Sequence, residues 1–242
     1  MAGHSKWKNI QHRKGAQDAR RGKIFTKINR EIVVAARAGG GNPDDNPRLR
    51  AALTKAKVAN MSKDSWTKAI KKGLGELDGE QYVEKTYEGY GPSGVAIFVE
   101  CLTDNPTRTV GEVRHAFSRS GGNLGTDGSV AWMFSRKGMI AYAAEKISDF
   151  DKLFEIALDN GAEDVKDEEG TYEVLCAPND LMKIKSALDS LCNEPDFCEI
   201  TMIPQNSSDI EKEKVETLTK LIDTLEDNDD VQNVYHNANL PE

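Results

Sequence analysis

The apolar residues of this chain change their spacing at Leu77-Asp78-Gly79, and that change dictates its architecture. Before it they recur at helical intervals; after it, extended runs appear between the helices. Ile24, Phe25, Ile28, Ile32 and Ala36 share one face of a predicted helix. Gly39-Gly40-Gly41 ends that helix, and Asn42-Pro43-Asp44-Asp45 forms the turn after it. Asn46-Pro47 reads as N-cap and first residue of a second helix, with Leu49, Ala52, Leu53 and Ala56 inward. A third helix over 63–72 buries Trp66, Ala69 and Ile70. Residues 1–78 are thus expected to be a basic arm and a three-helix domain.

Beyond the change, 82–90 and 95–102 read as strands joined by Gly91-Pro92-Ser93-Gly94. Asn105-Pro106 opens a helix with Val110, Val113 and Phe117 inward, closed by Gly121-Gly122. A strand over 129–135 follows, with Val130, Trp132 and Phe134 alternating. The stretch from Gly138 to Pro204 has its own order: strand 139–142, helix 150–159, a hairpin over 164–176 turning at Glu168-Glu169-Gly170, helix 180–191 and strand 199–203. That β-α-β-β-α-β order is the split pattern of ferredoxin-like modules. The tail adds a helix carrying Leu218, Leu221, Ile222 and Leu225, and a strand over 231–235. A lone helix and strand cannot bury their apolar faces, whereas the sheet of 79–135 lacks cover. The tail is therefore expected to return to that sheet. The expected fold class is α+β: a three-helix domain, a discontinuous domain of 79–135 plus 205–242, and an inserted ferredoxin-like domain of 136–204.

Charge divides along the same boundary. Residues 1–30 hold nine Lys or Arg and one acid, Asp18. Residues 1–72 hold 18 of the 32 Lys and Arg but 5 of the 40 Asp and Glu, in a chain of net charge −8. A fold needs no such asymmetry, and self-repulsion within each pole opposes it, so it points to a polyphosphate partner, DNA or RNA. The opening mixes point charges (Lys6, Lys8, Arg13, Lys14), an indole (Trp7) and an amide (Asn9). Cations neutralise phosphate, an aromatic ring stacks on bases, and amides bond sugar or base edges. Arg20, Arg21, Lys23, Lys27 and Arg30 continue the series, and Lys23, Lys27, Arg30 and Arg37 share a helix face without interleaved acids. A solvated tail is the alternative for the arm. The acidic remainder repels nucleic acid and suits a basic protein partner.

Other chemistry is not indicated. Gly39-Gly40-Gly41 and Gly121-Gly122-Asn123-Leu124-Gly125 follow helices and lack the Gly-Lys-Ser/Thr of a phosphate-cradling loop. No Gly-x-Ser-x-Gly occurs, and no catalytic carboxylate pair is recognisable. Cys101, Cys176, Cys192 and Cys198 show no metal-ligand spacing with His4, His12, His115 or His236, so no metal or cofactor is expected. No apolar run approaches the roughly 18 to 20 residues of a membrane span. The first residues lack the apolar core of a secretory signal, which suggests a cytoplasmic protein.

The opening Ala2-Gly3-His4-Ser5-Lys6-Trp7, with Asn9-Ile10 and Lys14, closely resembles the YebC family. Asp104-Asn105, Arg108-Thr109, Val113-Arg114, Gly121-Gly122-Asn123-Leu124-Gly125, the segment from Gly128 to Phe134, and Ile203-Pro204 carry the same resemblance. It implies three domains, the last inserted in the second, and a probable transcriptional regulator. Mitochondrial relatives are translational activators of cytochrome c oxidase, and other members relieve ribosomes stalled on proline-rich stretches. The first expectation is a non-enzymatic, DNA-binding transcriptional regulator. The alternative is a ribosome-associated translation factor whose arm binds ribosomal or transfer RNA.

Overall fold

The computed structural model describes residues 21–168 and 170–240. It is an α+β protein with a helical region followed by two sheet-containing parts. Helix α1 (Arg21–Gly39), α2 (Pro47–Val58) and α3 (Lys63–Gly73) pack around Ile28, Ile32, Val33, Leu49, Ala52, Ala56 and Ala69. Asn46 locks the α1–α2 corner: its Oδ1 accepts from Leu49 N at 3.0 Å, while Nδ2 donates to Ala35 O at 2.8 Å and Gly40 O at 2.9 Å. Gly40, at φ +83°, supplies the left-handed residue that ends α1. A Cβ on Gly73 would lie 2.5 Å from Val33 O, so glycine permits the close approach of α3 to α1.

Next come β1 (Val83–Tyr90), β2 (Ala96–Thr103), α4 (Pro106–Arg119) and the short β3 (Asn123–Leu124). After β3 the chain leaves this sheet and forms β4 (Phe134–Ala143), α5 (Phe150–Asp159), β5 (Ala162–Glu168), β6 (Thr171–Cys176), α6 (Leu181–Leu188) and β7 (Phe197–Pro204). It then returns as β8 (Ser208–Asp209), α7 (Lys212–Glu226), β9 (Val231–His236) and β10 (Ala238–Asn239). Among the described residues, Trp132–Ser207 form one compact unit, and 21–131 with 208–240 form the other.

In the larger unit the sheet order is β3-β1-β2-β9, with β1–β2 and β2–β9 antiparallel. Its core joins Val95, Ile97 and Val99 to Val113 and Phe117 of α4 and to Leu218, Leu221 and Leu225 of α7. The tail therefore supplies both an outer strand and a covering helix. In the smaller unit the order is β5-β6-β4-β7, with every neighbouring pair antiparallel. Ile140, Tyr142 and Val174 pack there beneath Leu153, Ala157, Ile184 and Leu188. Its two ends meet, because Gln205 N donates to Met133 O at 2.8 Å.

The strand expected over 129–135 is not formed. Ala131–Met133 make a 3-10 turn, Trp132 is 62% exposed, and the strand begins at Phe134. The cause lies on β1. The Glu88 carboxylate, 5% exposed, accepts from the backbone N–H of Gly128, Val130 and Ala131, each at 2.7 Å. Three donors drawn to one carboxylate are lost to a strand ladder. Helix α6 is also shorter than the 180–191 expected for it, ending at Leu188 with Leu191 N and Cys192 N folded back onto Leu188 O.

Candidate nucleic-acid interface

Lys6, Trp7, Lys8, Asn9, Arg13, Lys14 and Arg20 lie outside the described residues, and Arg21 is described only as the start of α1. Lys23, Lys27 and Arg30 are described, and all three face their own chain. Lys23 Nζ donates to Asp227 O at 2.7 Å and pairs with the Asp227 carboxylate at 3.3 Å. Lys27 Nζ donates to Glu226 O at 2.8 Å. Arg30 donates to Leu102 O at 2.9 Å, pairs with Asp230, and lies 5.0 Å over the Tyr82 ring. Arg37 reaches Tyr82 O at 3.3 Å.

The cation row is thus one continuous contact with the sheet-containing part of the same unit. Part of its role is to finish α7. The last carbonyls of a helix have no intrahelical partner and carry partial negative charge. The last turn of α7 holds no basic residue, so lysines from α1 supply the donors.

At the inner end of the row Asp230 is a hub. Its carboxylate accepts from Arg108 Nη2 at 2.7 and 2.9 Å and from the Thr109 hydroxyl at 2.7 Å, besides Arg30. Burial pushes the Asp230 carboxyl up, but the hydrogen bonds from Arg108, Thr109 and Arg30 outweigh it and hold the group below its ordinary range. Asn105, N-cap of α4 through Arg108 N at 3.1 Å, and Asp104, 2.8 Å from Arg108 Nη2, complete the corner. These residues stood in the sequence as marks of a resemblance. Their convergence on Asp230 had no local signal.

Lys27 carries the clearest electrostatic consequence. Burial pushes its ammonium down to about 8, against Glu226 and Asp229, which raise it. Its ordinary value is 10.5, so between about pH 8 and 10.5 the unfolded chain binds a proton that the folded chain does not. This residue's contribution to stability therefore rises with pH across that window. The difference in urea-unfolding free energy between wild type and Lys27→Met should grow in favour of wild type from about pH 8 to 10. A difference that stays constant would show that Lys27 titrates as it does in water.

Other cations of the helical region point outward. Lys57, Lys63, Lys68 and Lys71 are exposed on α2 and α3, and Lys57 Nζ lies 6.0 Å from the centre of the half-buried Trp66 ring. Sequence reading named Trp66 only as a core residue and did not single out these lysines. Their signal was present in the alternation of Lys with buried Ala56 and Ala69. Among the described residues no three His, Cys, Asp or Glu side chains gather as a metal site, and no helix is long and apolar enough to cross a membrane. Burial pushes the Cys101 thiol up to about 12 and those of Cys176 and Cys198 to about 11, which disfavours the reactive thiolate.

Comparison with known proteins covers nearly the whole chain. Residues 5–76 match the model of the TACO1/YebC protein N-terminal domain, and residues 82–238 that of the TACO1/YebC second and third domain. A probable transcriptional regulatory protein of Syntrophotalea carbinolica is 58% identical over 240 residues, covering 99% of this chain and 96% of the relative. One of the same description from Geobacter sulfurreducens is 55% identical, with the same coverage. The crystal structure of a conserved hypothetical protein from Aquifex aeolicus superposes with a TM-score of 0.81 at 46% identity, covering 93% of each chain.

Proposed function

We propose, from the premise that this chain belongs to the TACO1/YebC family, that it is a DNA-binding transcriptional regulator without catalytic chemistry, acting in the cytoplasm. The observation that carries this reading is the concentration of 18 of 32 basic residues within 1–72, of which Lys57, Lys63, Lys68 and Lys71 remain solvent-facing. Relatives named probable transcriptional regulatory proteins support it. The arm residues Lys6, Trp7, Lys8, Asn9, Arg13 and Lys14, with Arg20 and Arg21, make the first contacts with phosphates and bases, and the α2–α3 lysines extend them. Contacts of this kind give affinity more than sequence specificity. Trp132–Ser207, with 7 basic and 16 acidic residues, repel nucleic acid and offer a surface to a basic protein partner.

Duplex binding should weaken steeply with salt, with a log–log slope of roughly −0.9 per phosphate neutralised. Reversing Lys6, Lys8, Arg13 and Lys14 to Glu should abolish binding while the circular dichroism spectrum stays native. Full affinity in that variant would remove the arm from the interface. Crosslinking in cells that recovers mainly ribosomal RNA would replace the transcriptional reading with that of a translation factor.

A further inference from the structure

The end of α7 and the acidic turn after it read Glu226-Asp227-Asn228-Asp229-Asp230, and they lie along the α1 cations. Carboxylate and carbonyl oxygens accept there from ammonium and guanidinium donors, as phosphate oxygens do on a nucleic-acid backbone. The contact is not uniform along its length. At the outer end the side chains of Lys23 and Asp227 are 41% and 40% exposed. At the inner end those of Arg30 and Asp230 are 11% and 3% exposed. An exposed pair is weak and is exchanged readily for another anion, whereas a buried, multiply bonded pair is not.

We propose that this turn is an internal phosphate mimic: a bound polyanion takes over Lys23, and Lys27 behind it, by displacing the outer end of the turn, while Arg30 and Asp230 stay joined as the pivot. The inference rests on the nucleic-acid reading above and adds regulation to it. The row counts toward affinity only after its occupant has moved. The protein therefore discriminates against short or isolated phosphates, which cannot bring enough contacts to displace it.

The test uses the full chain, a duplex of about 20 base pairs as probe, and the variants Asp227→Ala, Lys23→Ala and their combination. Asp227→Ala should bind the duplex about threefold more tightly than wild type, and that gain should vanish in the Lys23→Ala background. Hydrogen exchange should quicken on binding at the amides of Asn228 and Val231, which bond Leu225 O and Asn228 O in the closed turn. Wild-type binding with no gain in Asp227→Ala would overturn the mimic and leave the nucleic-acid reading standing. An equal gain with and without Lys23 would reduce the effect to net charge and overturn it as well, as would unchanged exchange at those amides. Failure of wild type to bind any duplex or single-stranded RNA would end both readings together.

Discussion

Asp230→Ala is expected to lose about 3–5 kcal/mol of unfolding free energy, because it strands a buried cation. Arg30 is held between the Asp230 carboxylate, Leu102 O and the Tyr82 ring, with its side chain 11% exposed. Without the carboxylate its charge remains in a site that water does not solvate, and the Thr109 hydroxyl keeps only Thr103 Oγ1 and Asn105 O as acceptors. Arg108→Ala touches the same carboxylate from the other side, yet its side chain is 41% exposed and should cost no more than about 1 kcal/mol. Urea titrations of the two variants make the comparison. A loss of about 1 kcal/mol or less in Asp230→Ala as well would mean that Asp230 acts as an ordinary surface acid and that the α1 contact rests on other groups.

Ending the chain at Ser207 should destroy the larger unit. Leu218, Leu221, Leu225, Val231 and Val234 all belong to its core, and β9 is hydrogen-bonded to β2. Each buried leucine removed costs about 2–5 kcal/mol, against a total stability of about 5–15 kcal/mol for a domain. Excision of residues 134–204 removes 71 residues rather than 35, yet the opposite result is expected. Met133 and Gln205 are already hydrogen-bonded neighbours, so two to four glycines or serines can join them. The excised chain should unfold cooperatively and the truncated one should not. A cooperative transition in the 1–207 fragment would show that the tail merely decorates the sheet.

Elements whose signals are local were legible in the sequence. Asn105-Pro106 predicts the start of α4 because an N-cap and a proline at the first turn act within four residues. The helix expected over 150–159 forms as α5, with Leu153 and Ala157 on the buried face; its cap, Asp149 accepting from Lys152 N, is seen in the structure. What decides 129–135 is a carboxylate about forty residues earlier, and alternation of Val130, Trp132 and Phe134 carries no trace of it. The cation row on α1 was legible as a row. Its occupant was not, because charge patterning states that a partner is needed and leaves open whether the partner belongs to the same chain. Of the interface expected from the sequence, Lys23, Lys27 and Arg30 lie against the acidic turn, while 1–20 lie outside the described residues.

The distance along the chain between the two halves of that contact has a consequence for how the protein is made. Lys23 and Asp227 are separated by 204 positions, and Lys27 and Glu226 by 199. At a synthesis rate of about 5–20 residues per second, roughly 10 to 40 seconds pass between translation of the cations and translation of the acids that cover them. For that interval the nascent helical region carries Lys23, Lys27 and Arg30 without the acidic turn that meets them in the folded chain. The acidic turn follows these cations by about 200 positions, so they are covered only once the tail has been made. A mutation that slows closure should therefore lengthen the time for which the row stays open without altering the folded state.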